Sequence, residues 1–232
     1  MKAGIMQPYF FPYIGYWQLM NEVDIYVIYD DVNYINRGWI NRNRILIDQK
    51  AKYIHLPLCS ASQNKLINEI DLMDSITEKQ KLLRTLKLNY AKAPCFQAIY
   101  PLLEKIIQYH PKKAIQFLEY QLRLIAEFLS IKPHFLLSSE IHKNNALKGE
   151  DKILEICKIL GADTYVNAIG GQALYSQEKF CNAGIQLQFL KTEEISYPQF
   201  SQEFVPNLSI IDVMMFNSKE NIEIMLKKFS LL

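Results

Sequence analysis

The side chains best suited to catalysis or ligand binding in this chain lie within residues 7 to 44. In order they are Gln7, Tyr9, Gly15, Tyr16, Asp30, Asp31, Arg37, Asn41, Arg42, Asn43 and Arg44. Most of them follow short apolar runs, and open α/β sheets place their ligand sites in loops of that kind. We therefore predict a small-molecule site in which Asp30, Asp31 and Tyr16 are catalytic and the other residues bind substrate.

The paired carboxylates Asp30 and Asp31 stand at the end of the second predicted strand. A carboxylate in that place binds a metal, a ribose hydroxyl or an amine, although strand ends also favour Asp for turn formation. Arg37, Arg42 and Arg44 supply counter-charges in the same stretch, and the guanidinium fork suits a phosphate or a carboxylate. We expect at least one of the two carboxylates to be functional, and Asp31→Asn to impair ligand binding with little change in stability.

Asn41 and Asn43 alternate with Arg42 and Arg44 along the chain. If this segment is extended, the amides point to one face and the guanidinium groups to the other. Only one of the two sets is then expected to face a single pocket. A polar edge strand with solvated arginines explains the same pattern.

A second group of predicted substrate-binding residues lies late in the chain. Gly170 and Gly171 follow a predicted strand, so their backbone N–H groups can approach an anion, although two glycines also make a simple turn. We expect these glycines, with Tyr175 and Gln199, to bind substrate at the sheet edge that holds the first loop. The four histidines show no metal spacing and no nucleophilic triad is recognisable, so the sequence predicts no metal site and indicates no cofactor.

The amino-acid composition limits the kinds of binding partner that we expect for this protein. The chain has 232 residues, and its net charge of +2 is too small to indicate nucleic acid or a membrane surface. Its four scattered cysteines have the spacing of neither a zinc ribbon nor a secreted disulfide framework. Pro8 and Pro12 break the first apolar run, which argues against a signal peptide or anchor. We expect a cytoplasmic protein without stable membrane insertion that binds a small molecule bearing phosphate or carboxylate; no oligomeric state is indicated.

The spacing of apolar residues predicts strands that alternate with helices at both ends of the chain. A strand over 3–6, a helix from about 15 to 23 and a strand over 25–29 form a βαβ unit, which implies a parallel pair. A hairpin is predicted from 45–47 and 53–58. Three helices follow over about 75–132, the first opened by the capping box Ser75-Ile76-Thr77-Glu78. Strands over 134–137, 164–169 and 185–190 then alternate with helices, and Ser218 is expected to cap a terminal helix to Phe229.

These elements predict an α/β fold with a mostly parallel, doubly wound sheet built from both ends of the chain. We expect a single domain over residues 1–232 with a helical insertion at about 75–132. Tyr13-Ile14-Gly15-Tyr16 has the placement of the His-x-Gly-His element of the nucleotidylyltransferase superfamily, after the first strand and at the start of a helix. Tyrosine replaces both histidines and stays neutral near pH 7, so the cationic part of that chemistry is missing. An aromatic plug that packs the helix on the sheet is the structural alternative.

Several short motifs, taken together, resemble the WbqC-like family of bacterial proteins. They are Gln7-Pro8 with Pro12-x-x-Gly15-Tyr16, Tyr29-Asp30-Asp31-Val32, Arg37-Gly38-Trp39-Ile40-Asn41-Arg42-Asn43-Arg44, Tyr90-Ala91-Lys92-Ala93-Pro94, Gly170-Gly171-x-x-x-Tyr175, Tyr197-Pro198-Gln199, and Phe204-x-Pro206-x-Leu208-Ser209-x-x-Asp212. The resemblance spans nearly the whole chain. One departure is Asn167-Ala168-Ile169, which stands where the family pattern is expected to have a Ser-Gly pair.

Members of this family are associated with gene clusters for O-antigen and other surface polysaccharides, so the resemblance implies a cytoplasmic role in making or decorating a nucleotide-linked sugar. One hypothesis is a transferase that acts on an activated, nucleotide-linked amino sugar or a similar precursor. The other is a non-catalytic ligand-binding or assembly protein of the same pathway, for which an aromatic pocket with arginine anchors suffices. The absence of a recognisable nucleophile or metal triad keeps this second hypothesis open.

Overall fold

The computed structural model describes residues 1–73 and 75–232 as a mixed α/β structure. Its strands in chain order are β1 (Lys2–Met6), β2 (Ile25–Ile28), β3 (Arg42–Ile47), β4 (Lys50–His55), β5 (Leu58–Cys59), β6 (Asp71–Leu72), β7 (His134–Leu137), β8 (Thr164–Ala168), β9 (Gln186–Thr192) and β10 (Phe229–Leu231). Its helices are α1 (Ile14–Glu22), α2 (Ile76–Tyr90), α3 (Phe96–Ile107), α4 (Ala114–Phe128), α5 (Gly149–Leu160), α6 (Gln177–Asn182), α7 (Ile210–Phe216) and α8 (Lys219–Met225).

The central sheet has six strands in the order β10-β9-β8-β1-β2-β7. All neighbours are parallel except β10, which pairs antiparallel with β9. The predicted parallel pairing of the first two strands is confirmed, since Ala3 lies opposite Ile25 and Met6 opposite Ile28. From β1 the chain adds β2 and β7 on one side and then returns to add β8 and β9 on the other. The strand order therefore reverses direction between β1 and β8.

Apolar side chains cover both faces of this sheet, because successive residues of a strand point to opposite sides. Ile5 and Val27 pack in one cluster with Cys157 of α5 and Phe180 of α6. On the other face, a larger cluster joins α1 to the helices α2, α3 and α4. The helical block thus shares a continuous apolar interior with this face of the sheet.

Two local predictions are confirmed, except that the second strand of the predicted hairpin spans Lys50–His55 and not 53–58. Strands β3 and β4 form an antiparallel hairpin whose turn residues Asp48 and Gln49 both have positive φ, as tight hairpin turns require. Ser75 caps α2, because its hydroxyl accepts a hydrogen bond from the backbone N–H of Glu78 at 3.3 Å.

The C-terminal prediction is wrong beyond its cap. Ser218 does cap α8, but this helix ends at Met225 instead of continuing to Phe229. Residues Phe229–Leu231 instead form β10 and cover the open edge of β9. Among the described residues, no helix is long and apolar enough to cross a membrane.

Candidate functional site

A cleft of about 570 Å³ opens at the carboxyl ends of β1 and β8. This is the point where the strand order reverses, and the loops that follow the two strands diverge there to opposite sides of the sheet. In open α/β sheets such a crevice is the usual place for a ligand. Its volume lies within the range of small-molecule sites, about 300–1,000 Å³.

The residues that line the cleft come from the ends of β1 and β8 with the loops that follow them, from α1, from the loop after β2 and from the start of α5. They are Ile5, Met6, Gln7, Tyr9, Tyr13, Tyr16, Leu19, Tyr29, Ile35, Trp39, Gly149, Glu150, Ile153, Asn167, Ala168, Gly170, Gly171, Leu174 and Tyr175. Of the residues predicted for the site, Gln7, Tyr9, Tyr16, Gly170, Gly171 and Tyr175 are in this lining. The sequence prediction left out Tyr29, Trp39 and Asn167, although Tyr29 and Asn167 lie at the ends of strands, where a strand-end rule would have found them.

Five tyrosines line the cleft and supply most of its hydroxyl groups. Burial raises the pKa of Tyr9, Tyr13, Tyr16, Tyr29 and Tyr175 above the ordinary value. Their hydroxyls therefore stay protonated at neutral pH and can donate hydrogen bonds to a ligand. Tyr16 already uses its proton, because its hydroxyl donates to the backbone carbonyl of Gln7 at 3.0 Å.

Among the described residues that line the cleft, the only carboxylate is that of Glu150, and it already has partners. Its Oε1 accepts from the backbone N–H of Ser176 at 2.5 Å, and its Oε2 lies 3.0 Å from Nζ of Lys179. By contrast, the side-chain amide of Gln7 makes no hydrogen bond to any residue of the described ranges. The amide is thus the polar group of the lining that is most available to a ligand.

Buried amides and a hydroxyl hold the loop after β1 in place. Asn43 donates to the carbonyls of Phe10 and Phe11, at 3.1 and 2.8 Å. Gln121 of α4 accepts from the N–H of Phe11 and donates to the carbonyl of Tyr9, while the hydroxyl of Ser209 donates to the carbonyl of Phe11. Phe11 has a positive φ of 43°, so this turn depends on those bonds. Asn43, predicted to bind substrate, is here a buried group that shapes the loop carrying Tyr9.

Gly15 is buried beneath the cleft and has a steric role. A Cβ at this position would lie 2.5 Å from Oγ1 of Thr192 and 2.6 Å from the ring of Tyr13. The missing side chain therefore lets the Tyr13 ring lie against the start of α1. Gly171 has a similar role, since a Cβ there would approach the amide of Asn167 to 3.0 Å, whereas Gly170 faces open space.

Asp30 and Asp31 are placed outside the lining of the cleft. Asp30 is buried, and its carboxylate accepts from the N–H and the hydroxyl of Ser139 at 2.9 and 2.6 Å. Burial raises the pKa of Asp30. Both carboxylates fasten the end of β2 to the turn that follows β7, and neither lines the cleft.

Asp31 is the centre of a small buried ion cluster. Its Oδ2 lies 2.8 Å from Nζ of Lys143 and 2.9 Å from Nζ of Lys152, and its Oδ1 accepts from the hydroxyl of Ser138 at 2.6 Å. Burial acts to raise the pKa of Asp31, but the hydrogen bonds from Lys143, Ser138 and Lys152 outweigh burial and lower it. These lysines lie far along the chain, so the sequence offered no sign of the pairing.

Arg37, Asn41 and Arg42 also lie away from the cleft lining. The guanidinium of Arg42 donates to the carbonyls of Gly38 and Arg37 and stacks on the ring of Tyr53 at 4.5 Å. Arg37 itself is exposed. The side chain of Asn41 accepts from the hydroxyl of Tyr34 at 2.8 Å and donates to the carbonyl of Leu56. Arg42 and Asn41 therefore stabilise the β3–β4 region.

Gln199 belongs to a second buried network, around the carboxylate of Asp212. Oδ1 of Asp212 accepts from Tyr197 and from Gln199 at 2.8 and 2.7 Å, and Oδ2 accepts from Tyr90 at 2.8 Å. Gln199 also exchanges two hydrogen bonds with the backbone of Val205. Its amide is thus fully used inside the protein and is not available to a substrate bound in the cleft.

Arg44 borders a second, smaller cavity of about 340 Å³ next to the cleft. The residues that line this cavity are Tyr9, Pro12, Tyr13, Trp39, Asn43, Arg44 and Asn207. Asn43 and Arg44 both border it, but their side chains have different partners: the amide of Asn43 donates to Phe10 and Phe11, and the guanidinium of Arg44 donates to Asn207. Within residues 1–73 and 75–232, no group of three or more His, Cys, Asp or Glu side chains is arranged to hold a metal ion.

Comparisons with known proteins agree with the motifs. The chain is 26% identical over 216 residues to the uncharacterized protein Rv1507c of Mycobacterium tuberculosis, and the match covers 92% of each chain. No solved structure matches. The model of the WbqC-like protein family matches residues 7–224, which include the Arg44 cavity, the Asp212 network and the whole lining of the cleft except Ile5 and Met6. On that match, the chain belongs to the WbqC-like protein family.

Proposed function

We propose that the protein is a transferase acting on an activated, nucleotide-linked amino sugar or a similar precursor in the biosynthesis of bacterial surface polysaccharide. The observation that carries this proposal is the tyrosine-lined cleft at the reversal point of the parallel sheet. Doubly wound sheets bind nucleotides at that position. A nucleotidylyltransferase-like start over Tyr13 to Tyr16 remains part of the proposal, because this segment connects β1 to α1 beside the cleft.

The lining suits a ligand that contains rings and hydroxyl groups. Aromatic faces stack on a base or on the apolar face of a sugar, and phenol hydroxyls supply donors at the ring edges. The free amide of Gln7 offers both a donor and an acceptor. Backbone groups of Gly170 and Gly171 border the same space, and open space in front of Gly170 allows a ligand to approach the main chain.

The proposed reaction relies on positioning and hydrogen-bond donation. The tyrosines are neutral, and the Glu150 carboxylate is already paired. Group transfer from an activated precursor places much of the chemical driving force in the substrate itself, so an enzyme contributes mainly by aligning the reactants and stabilising developing charge. Tyr13 is hydrogen-bonded to Thr192, and Tyr175 to Tyr165 and Asn167, so the hydroxyls of Tyr9 and Tyr29 are the donors most available for this role.

The second candidate is a non-catalytic ligand-binding or assembly protein of the same pathway. One observation favours it: among the described residues that line the cleft, no unpaired carboxylate or imidazole is available as a general base. An aromatic cleft with an amide and backbone groups is enough to hold a ligand.

A binding screen followed by product analysis tests both candidates. The probes are UDP-, dTDP-, GDP- and CDP-sugars, acyl-CoA and ATP, with the melting temperature as the first readout. A ligand at one hundred times its Kd adds about 2.7 kcal/mol, which raises the melting temperature by roughly 5–11 °C for a chain of this size. Mass spectrometry of incubations with an amino-sugar acceptor then detects any transferred group.

The matched variants are Gln7→Leu and Gln63→Leu. Gln7→Leu removes the free amide in the cleft, so we expect it to abolish the ligand-induced shift while leaving the unliganded melting temperature unchanged. Gln63 is exposed outside the cleft, and its variant should behave like the wild type. A transferred product supports the transferase; binding of a nucleotide sugar without a product supports the second candidate. A failure of every probe to bind would overturn both.

A further inference from the structure

Arg44 is a half-buried cation without a carboxylate partner. Its Nη2 donates to the backbone carbonyl of Asn207 at 3.2 Å, and no carboxylate of the described residues lies within ion-pair distance. Its Nε is buried and has no hydrogen-bond acceptor within residues 1–73 and 75–232. A buried donor that lacks an acceptor is costly to the fold. The guanidinium of Arg44 therefore has unused capacity for an anionic oxygen.

The cavity beside Arg44 adjoins the cleft. Tyr9, Tyr13 and Trp39 line both spaces, so the two lobes share one wall. Arg44 is the single charged residue among the described residues that line the smaller lobe. A ligand whose ring lies among the tyrosines can thus extend an anionic group towards Arg44 without crossing a region of acidic side chains.

The other two arginines of the same motif do not offer this arrangement. Arg42 is occupied by the carbonyls of Gly38 and Arg37 and by the ring of Tyr53. Arg37 is exposed and lines neither lobe. Arg42 and Arg44 of β3 therefore differ in role. The guanidinium of Arg42 stabilises the hairpin, whereas that of Arg44 borders a cavity.

We propose that the lobe at Arg44 is an oxyanion subsite that binds a phosphate or carboxylate group of the same ligand whose ring occupies the tyrosine-lined cleft. This inference rests on the proposed function and adds to it the requirement for an anionic substituent at a defined place. The planar guanidinium forms paired, charge-assisted hydrogen bonds with such groups. Tyr9, a neutral donor, flanks the same lobe and adds a hydrogen bond to the anion.

Titration of the wild-type protein with inorganic phosphate and, separately, with acetate tests the subsite directly. Arginine Nε–H resonances of ¹⁵N-labelled protein report on each guanidinium, and the Arg44 resonance is assigned by its loss in Arg44→Lys. Ionic strength is kept constant with chloride. We expect a saturable shift of the Arg44 resonance and no saturable shift of the exposed Arg84. Saturation by phosphate alone identifies a phosphate subsite and saturation by acetate alone a carboxylate subsite, whereas no saturable shift with either anion overturns the proposal.

A second experiment separates this proposal from the proposed function. Each nucleotide sugar that binds in the screen is compared with its uncharged nucleoside, using wild type, Arg44→Gln and the control Arg84→Gln. We expect Arg44→Gln to weaken the nucleotide sugar about ten- to a hundredfold, the loss for one charged hydrogen-bonding group, and to leave the nucleoside unchanged. Equal binding of the nucleotide sugar by wild type and Arg44→Gln overturns the subsite alone. Phosphate binding at Arg44 in a protein that binds no nucleotide sugar overturns the proposed function alone.

Discussion

Asp31→Asn should destabilise the protein, in contrast to the expectation drawn from the sequence. The substitution keeps the shape of the side chain but removes the negative charge between Lys143 and Lys152. The exposed fractions of these lysine side chains are 1% and 7%, and that of Asp31 is 10%. Two nearly buried cations would then face each other without a counter-charge. Such an arrangement is costly because neither ammonium group regains its hydration.

The contacts of Asp31, Lys143 and Lys152 indicate how much stability the substitution should remove. Removing one partner of a buried ion pair costs about 3–5 kcal/mol. Lys143 keeps the carbonyls of Ser138 and Ile141 as acceptors, and Lys152 keeps the carbonyl of residue 31. We therefore expect the lower end of the range, about 3 kcal/mol, or a fall in melting temperature of roughly 6–12 °C.

Urea unfolding of wild type, Asp31→Asn and the control Asp48→Asn measures the effect. Asp48 pairs with Lys52 at the surface and is 79% exposed, so its substitution should change the midpoint little. The pKa of Asp31 is lowered in the folded state, so its contribution is fully present above about pH 4 and is lost as the pH falls through the folded pKa. The difference in unfolding midpoint between wild type and Asp31→Asn should therefore shrink at low pH. Equal midpoints at pH 7, together with lost ligand binding, would refute this reasoning and return Asp31 to the ligand site.

Three further substitutions give distinct outcomes. Leu83→Ala should cost about 2–5 kcal/mol in urea unfolding and leave ligand affinity intact, whereas Leu88→Ala, at a 73% exposed position, should cost little. Gly15→Ala should lower both the melting temperature and ligand affinity, because its Cβ would lie 2.5 Å from a neighbouring hydroxyl oxygen; Gly170→Ala should leave stability unchanged. Burial raises the pKa of Asp212 in the folded state, so wild type loses stability as the pH rises through that pKa. The difference in unfolding free energy between wild type and Asp212→Asn should therefore be larger at pH 4 than at pH 7.

The sequence predicted the elements whose signals are local. The run Ile25–Ile28 is β-branched and aromatic, and Ser75 stands three residues before Glu78, so strand β2 and the start of α2 follow from spacing alone. Helix α7 was missed because six of its seven residues are buried, which removes the amphipathic period that marks a helix. Strand β10 has three residues and depends on the free edge of β9, which is a tertiary feature.

The candidate site was harder to predict, because residue type does not reveal the partner. Asp30, Asp31 and Gln199 are of residue types that often form ligand sites. Their polar groups are already bonded to Ser139, Lys143 and Asp212, which come from other segments of the chain. The sheet order was the better guide. It located the cleft at the ends of β1 and β8, and that position does not depend on which polar residues happen to be free.

The start of α7 connects the two lobes of the candidate site. The N–H of Ser209 donates to the carbonyl of Arg44, its hydroxyl donates to the carbonyl of Phe11, and the N–H of Ile210 donates to the carbonyl of Pro12. The first turn of α7 thus fixes both the strand that carries Arg44 and the loop that carries the tyrosines. Asp212 lies in the same turn, and its hydrogen bonds hold α7 against α2 and the 197–199 segment. The Asp212 network therefore holds in place the helix whose first turn bonds to both Arg44 and the loop after β1, although none of its residues lines either lobe.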